Sequence, residues 1–390
     1  MSERQYDIVV FGATGFTGGL TAEYLAAHVP NGCRWALAGR NTGRLEAVRE
    51  RLSAIDPACA DLPLLQADVT NSESLRAVAE SARVVVTTVG PYLHYGEPLV
   101  AACAEAGTDY VDLTGEPEFV DRMYLAHHET ARRTGARLVH ACGLDSIPYD
   151  LGAYFTVGQL PDDTPTTVAA QIRANAEFSG GTFASALTAF SRARHMTDVA
   201  KRRRRADPRP ADREIRTPGG PPTRDAETGR WLVPMPTLDP QIVARSAAAL
   251  PRYGTSFTYR QSAAMKRLTT LVATGAGLGV LAVAAQIPPA RNALSRIRKP
   301  GDGPSAQRRA RSWFQVRFTG EAGGKRVVTE VAGGDPGYDE TAKMLSESAM
   351  CLAFDQLPDT AGQVTTAVAM GDSLVTRLQN AGLRIRVLDE

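Results

Sequence analysis

An apolar strand that runs straight into three evenly spaced glycines and then into a helix leaves a chain few folds to choose from. Residues 7–11 form such a strand and lead directly into Gly12-Ala13-Thr14-Gly15-Phe16-Thr17-Gly18, with a helical stretch over residues 20–27. A pyrophosphate can lie against the backbone N–H groups of a helix N-terminus only if nothing bulky intervenes. Gly12 permits the tight turn, Gly15 the close approach of a ligand, and Gly18 the packing of helix on sheet. The spacing is G-x-x-G-x-x-G, a departure from G-x-G-x-x-G, and the strand before and helix after give it its weight. All seven residues, Gly12 to Gly18, are therefore candidate contacts of a dinucleotide.

The same rhythm continues. Strand-like runs at residues 35–38, 64–67, 84–89, 110–113 and 137–141 alternate with helix-length segments. Strands of nearly unbroken Val, Ile and Leu between helices predict a parallel sheet covered on both faces, so the fold class is α/β, a Rossmann-type doubly wound sheet over residues 1–145. The chain has 390 residues, more than one core usually holds, and a second domain is expected. With 43% hydrophobic and 22% charged residues it has material for both, and wholesale disorder is excluded. Beyond residue 150 the pattern becomes mixed: strands at 313–318 and 326–331 and a helix over 338–357 with one buried face predict a second, α+β domain spanning 146–360.

The end of the second strand carries the cofactor choice. An acid there would hydrogen-bond a ribose hydroxyl, whereas this chain has Arg40 followed by Asn41, with Arg44 a turn further on. A guanidinium suits a 2′-phosphate, and NADPH is favoured over NADH. Asp68, after the third strand, is expected near the adenine or as a helix cap. The fourth strand ends in Thr87-Thr88-Val89-Gly90-Pro91-Tyr92, with Tyr95 close behind, at the carboxyl edge where open α/β sheets bind ligands. Val89, Gly90 and Pro91 are expected against the nicotinamide. The sixth strand brings His140, Cys142, Asp145 and Ser146 to the same edge. Tyr92, Tyr95, Asp145 and Ser146 are the catalytic candidates; plainer roles are packing for the tyrosines, helix capping for Asp145 and Ser146, and burial for His140 and Cys142. No Tyr-x-x-x-Lys pair marks a short-chain dehydrogenase.

Other classes recede. Five scattered cysteines include no C-x-x-C pair, and no His/Cys cluster has zinc-ligand spacing, so neither a disulfide framework nor a metal site is expected. The N-terminus lacks secretory features, which predicts a cytoplasmic protein. A net charge of +2 implies no nucleic-acid partner. The basic stretch 201–225, containing Arg202-Arg203-Arg204-Arg205, is expected to be a long exposed loop. Residues 268–285 hold 18 positions without a charge. As a helix they would measure about 27 Å, near the minimum for a bilayer span, but three central glycines favour a buried or subunit-interface helix of a homodimer, or peripheral contact with the inner face of the plasma membrane.

At this point the chain resembles the saccharopine dehydrogenase-like oxidoreductases, and among them the trans-acting enoyl reductases. The resemblance spans nearly the whole chain. It rests on Gly12 to Gly18, Ala38-Gly39-Arg40, Thr88-Val-Gly-Pro-Tyr92 with Tyr95-Gly96, Thr108-Asp-Tyr-Val-Asp-Leu-Thr-Gly-Glu116, Cys142-Gly-Leu-Asp-Ser-Ile-Pro148, Lys299-Pro-Gly-Asp-Gly-Pro-Ser305, Gly334-Asp-Pro-Gly-Tyr338 and Ala367-Val-Ala-Met-Gly-Asp372. It implies an NADPH-dependent reductase whose C-terminal segment, 361–390, returns toward the first domain. It also implies reduction of an enoyl double bond on a long acyl chain presented by a separate polyketide synthase. A tyrosine hydroxyl would then act as donor or acid, with Asp145 and Ser146 orienting substrate. The alternatives are a carbonyl or imine reductase on an amino-acid-like substrate, and a non-catalytic NADPH-binding protein at a membrane.

Overall fold

The computed structural model describes residues 4–176, 187–188, 191–207, 210–235, 237–267, 269, 277, 279–281, 283–287, 289 and 303–388. These fall into two units. The first comprises Met1–Leu144, Gly301–Gly303 and Tyr338–Arg377; the second comprises Asp145–Pro300, Pro304–Gly337 and Leu378–Glu390.

Seven strands build the first unit: β1 (Tyr6–Phe11), β2 (Trp35–Gly39), β3 (Leu64–Gln66), β4 (Ala82–Thr87), β5 (Asp109–Asp112), β6 (Arg137–Val139) and, from far along the chain, β14 (Gly362–Val364). They lie in the order β14-β6-β5-β4-β1-β2-β3, every pair parallel. Without β14 this is the doubly wound order, with β1 and β4 flanking the point where the strand order reverses. All six strands expected from sequence are present. Ile8, Val9 and Val10 of β1 are completely buried because both faces of the central strands are covered.

Two helical layers provide that cover. Ser72–Ser81, Glu97–Ala106 and Pro117–Thr134 pack on one another, while Phe16–His28 packs on Asp339–Phe354, which lies on β1, β4 and β5. The last helix departs from expectation. It was to bury one face as part of the second domain; instead it belongs to the first unit and nearly all its residues from Glu340 to Ala353 are buried. Small residues (Ala342, Ser346, Ser348, Ala349, Ala353) bring it close to the sheet, and its acids are paired. Glu347 accepts from the Tyr24 hydroxyl at 2.8 Å and from Arg377 at 3.2 Å, and Lys343 meets Glu340 at 2.9 Å.

The second unit is a mixed sheet in the order β15-β13-β12-β7-β11-β10-β9, with β8 paired to β11. Its strands are β7 (Thr166–Asn175), β8 (Glu214–Arg216), β9 (Thr223–Arg224), β10 (Trp231–Pro234), β11 (Ser256–Met265), β12 (Trp313–Ala322), β13 (Lys325–Gly333) and β15 (Arg384–Val387). The β12–β13 hairpin turns through Gly323 and Gly324, both at positive φ, the conformation a two-residue hairpin turn requires. Helix Ile147–Val157 packs on β7, β12 and β13, and helix Asp239–Ala249 packs beside it. Gly152 permits the first contact: a Cβ there would stand 2.3 Å from Phe318 Cζ.

Two further expectations change, and a third lies largely outside the described residues. The C-terminal segment divides, β14 joining the first sheet and β15 the second, so the domain boundary is not a single cut. The run Arg202–Arg205 is not loop but the end of helix Ala193–Ala206, where cations meet the negative end of the helix dipole; Arg203 is buried and paired with Asp207 at 2.8 Å. Most of the apolar stretch 268–285 lies outside the described residues. Among the described residues no helix is long and apolar enough to cross a membrane.

Candidate functional site

The glycine turn is shaped by two different constraints. Gly12 has φ +97°, and a Cβ on it would stand 2.6 Å from Val89 Cγ2; one on Gly18 would stand 2.1 Å from the Gly12 carbonyl oxygen. The protein itself therefore forbids side chains at both. Gly15 differs. It is exposed, at ordinary extended φ and ψ, and the nearest neighbour of an added Cβ would be an unstrained 3.4 Å away. Among the described residues nothing demands glycine there, and the open space is left to whatever approaches the N-terminus of helix Phe16–His28. Gly15 is that helix's N-cap and has no side chain to occupy the first-turn N–H groups, which suits an anion. The residues present thus fit the dinucleotide pyrophosphate.

Distant segments converge on this turn. Thr88 at the end of β4 donates from its hydroxyl to the Gly12 carbonyl at 3.3 Å. Phe16 meets Tyr338 edge to face at 4.9 Å, and a Cβ on Gly303 would stand 2.2 Å from the Phe16 ring. Two of the motifs behind the family resemblance thus supply the cover of Phe16. Ala13 is buried, whereas Thr14 is exposed and Thr17 half-exposed at the open side.

At the adenosine end, Arg40 follows β2 with its side chain 77% exposed, its Nε 3.9 Å from Asp68 Oδ2. So loose a surface pair contributes little and leaves the guanidinium available to a phosphate. Asp68 accepts from the Thr70 N–H and hydroxyl at 2.9 and 2.8 Å, and these bonds, with Arg40, hold its carboxyl below the usual range. The side-chain oxygen of Asn41 caps helix Thr42–Ser53, accepting from Arg44 N at 2.9 Å. Of the four polar candidates here, Arg40 and Arg44 remain the ones for a 2′-phosphate. Arg40→Ala is expected to raise the Kd for NADPH about 10–100-fold, the worth of a charge-assisted contact, and to leave NADH nearly unchanged. A titration followed by nicotinamide fluorescence measures both; equal losses for the two nucleotides would remove the assignment.

At the other end of the cofactor edge, β4 opens into half-exposed Thr88 and Val89, then exposed Gly90 and a cis Gly90–Pro91 peptide. The next residue departs from the role expected of it. Tyr92 is buried, its hydroxyl donating to Thr87 O and accepting from Leu113 N, both at 3.1 Å. Burial pushes its phenol well above the ordinary range, aided by the nearby Asp112 carboxyl. A hydroxyl so committed positions backbone; it is a poor proton donor. Tyr95 is 45% exposed at the same edge.

Two acids without an assigned role hold this edge together. Glu116 accepts from Tyr92 N at 3.2 Å and Leu93 N at 2.8 Å, fixing the start of the short helix after Pro91. Asp112, completely buried, accepts from the Tyr110 hydroxyl (3.0 Å), Thr114 N (3.0 Å) and Ala141 N (2.9 Å), and lies 2.7 Å from His140 Nδ1. Among the described residues Ala141 is the non-glycine residue at positive φ, 60°. The one legible signal for these acids was their presence in an otherwise apolar strand end.

Asp145 and Ser146 open the second unit. Ser146 is the N-cap of helix Ile147–Val157 by position, yet its side chain makes no cap bond, and its buried Oγ has no partner among the described residues. Asp145 is half-buried, and loss of solvation pushes its carboxyl up to about 6. Sequence reasoning missed a second acid, Asp239, on which its charge acts. Asp239 Oδ2 accepts from the Thr237 hydroxyl at 2.5 Å and from Gln261 Nε2 at 2.8 Å, and Gln261 Oε1 accepts from the Tyr259 hydroxyl at 3.0 Å. Among the described residues no group of three His, Cys, Asp or Glu side chains could hold a metal ion.

Known proteins resemble both units. Residues 8–139 match the saccharopine dehydrogenase NADP binding domain. A protein of Mycobacterium tuberculosis whose name provisionally makes it a trans-acting enoyl reductase is 40% identical over 419 aligned positions, covering 98% of this chain and 97% of its own. One named trans-acting enoyl reductase in Mycobacterium ulcerans is 36% identical, again over 98% of this chain and 97% of its own. The solved saccharopine dehydrogenase (L-Glu forming) of Saccharomyces cerevisiae shares the fold, with a TM-score of 0.57 at 11% identity over 98% of this chain and 100% of that one. An NADP-binding sheet with a glycine turn and an arginine at its adenosine end, and similarity carried through both units, make this chain a member of the saccharopine dehydrogenase-like oxidoreductases, in the group of the trans-acting enoyl reductases.

Proposed function

We propose that this chain reduces a carbon–carbon double bond conjugated to a thioester, on a long polyketide- or lipid-type acyl chain carried by a separate synthase, with NADPH as reductant. The observation that carries this reading is the extent of the similarity: relatives named for the activity match over 98% of the chain, so the substrate-binding unit is included and not the cofactor fold alone.

When bound, NADPH supplies the hydride taken up at the β-carbon. The N-terminus of helix Phe16–His28 would hold its pyrophosphate, Arg40 and Arg44 its 2′-phosphate, and Val89, Gly90 and Pro91 would border its nicotinamide. Asn41 and Asp68 would line the adenosine end. Charge that develops on the thioester oxygen needs donors, and the α-carbon needs a proton. Tyr95 and Ser146 carry hydroxyls not committed to the fold, so they are the proposed donors, with Asp145 the proposed acid. Tyr92 takes the supporting role of fixing β4 and the chain after β5.

Incubation of the purified protein with NADPH and a long-chain α,β-unsaturated acyl thioester is expected to consume the nicotinamide absorbance and give the saturated acyl product by mass. A 2-oxo acid with an amine, offered in parallel, is expected to be inert. Turnover of the second mixture and none of the first would overturn the reading in favour of an imine reductase.

A further inference from the structure

Helices Ile147–Val157 and Asp239–Ala249 of the second unit pack side by side, tied by Asp150 Oδ1 in the first turn of one and Ser246 Oγ near the end of the other, 2.5 Å apart. Each has an acid at its start: Asp145 just before the first and Asp239 as the first residue of the second. Asp239 is 2% exposed. Its Oδ2 is fixed by Thr237 and Gln261, whereas its Oδ1 is buried and meets no hydrogen-bond partner among the described residues. Thr237 from the preceding loop and Gln261 from β11 hydrogen-bond to it, and Asp145 and Tyr149 at the start of the first helix and Tyr259 of β11 are near enough to interact with its charge. None is a cation. A carboxylate there would leave one charged oxygen unsolvated and unpaired, a cost that a proton on Oδ1 removes.

We propose that Asp145 and Asp239 act as one coupled carboxyl pair that carries a single proton at neutral pH, and that this pair supplies the proton taken up by the substrate during reduction. Asp145, the half-exposed member, is the catalytic residue. Asp239 is a positioning residue that holds the proton for it. The inference rests on the chain's being a reductase and not on which double bond it reduces. Reduction adds hydride to one atom and a proton to the other; an O–H bond of the pair breaks, a C–H bond forms at an enoyl α-carbon or an N–H bond at an imine nitrogen, and the doubly ionised pair regains its proton from water. The electrostatics agree. Burial pushes Asp239 up to about 8, opposed by the Thr237 hydroxyl and reinforced by the Asp145 charge. Asp145 lies at about 6. Between those values the pair as a whole holds one proton.

The test begins without substrate. Infrared spectra of the wild-type protein are expected to contain a protonated-carboxyl band at neutral pH that disappears on titration through about pH 8. The band should be absent in Asp239→Asn; in Asp145→Asn, with the like charge removed, it should remain in acid but titrate away at a lower pH than in the wild type. A wild-type protein with no such band at neutral pH overturns the proposal, whether or not the variants fold. The second readout is kcat against pH at saturating NADPH, with whichever acceptor turns over. Asp239→Asn is expected to lower kcat about 100-fold and to displace the alkaline limb, the usual worth of a general acid. An unchanged kcat and profile would overturn the catalytic part. Turnover of imines and not enoyl thioesters would reject the substrate class proposed above and leave the pair in place.

Discussion

Gly18→Ala is expected to abolish NADPH binding and to lower the melting temperature of the protein by roughly 5–10 °C. The added methyl would stand 2.1 Å from the Gly12 carbonyl oxygen and 2.7 Å from Thr88 Oγ1. Neither the carbonyl nor the helix can give way without displacing the turn, and forced overpacking of this kind costs about 1–3 kcal/mol. Gly15→Ala provides the control that separates fold from ligand. Its methyl meets no atom of the described residues closer than 3.4 Å, and the backbone is at φ −80°, ψ 167°. It should melt with the wild type, yet bind NADPH at least tenfold more weakly, because only the pyrophosphate needs that space. Thermal melts with and without NADPH, beside a fluorescence titration, make the comparison. A Gly15→Ala protein that binds normally would show that the turn is glycine-rich for packing alone.

Asp112→Ala should be the most destabilising single change at the cofactor edge. Four groups lose their partner at once: the Tyr110 hydroxyl, the His140 ring nitrogen, and the N–H groups of Thr114 and Ala141. All four residues are buried, and an unsatisfied buried donor costs about 1–3 kcal/mol. Because the side chains relax and share water, a total of about 3–5 kcal/mol is expected, or roughly 10–15 °C in melting temperature. Tyr110→Phe removes one bond and leaves no buried donor behind, so it should cost only about 1 kcal/mol. Equal, small shifts for the two would mean that Asp112 does not organise this edge.

Much of the first unit was legible in the sequence because its signals are local. Strand β1 and its glycine turn are contiguous, and each further strand announces itself as a short apolar run between helix-length segments. The cofactor candidates follow, since Arg40, Asp68 and Val89–Pro91 sit at strand ends whatever the rest of the chain does. Where the reading departed from the structure, the deciding partner lies far away in sequence. Strand β14 is three residues long and exists because β6 offers it an edge. The helix Asp339–Phe354 looked amphipathic, but what surrounds it, Tyr24 and Arg377 included, is set by tertiary packing. The run Arg202–Arg205 resembled a loop by composition, although four arginines also suit the last turn of a helix.

The candidate site divides along the same line. Residue types at strand ends can be read one by one, but a side chain's chemistry depends on what its polar atoms already touch. Tyr92 has the identity of a proton donor and the hydrogen bonds of a structural post. Asp239 carries no motif at all, yet burial pushes its carboxyl up to about 8, and the charge of Asp145 adds to the rise. The sequence alone determined the α/β class, the dinucleotide turn and the preference for a phosphorylated cofactor, since each depends on backbone conformation and charge within a few residues. Only the tertiary structure decided which hydroxyls are spent, which carboxyls lose their solvation and which distant segments complete the first sheet, because desolvation and hydrogen-bond satisfaction are properties of neighbours brought together by folding.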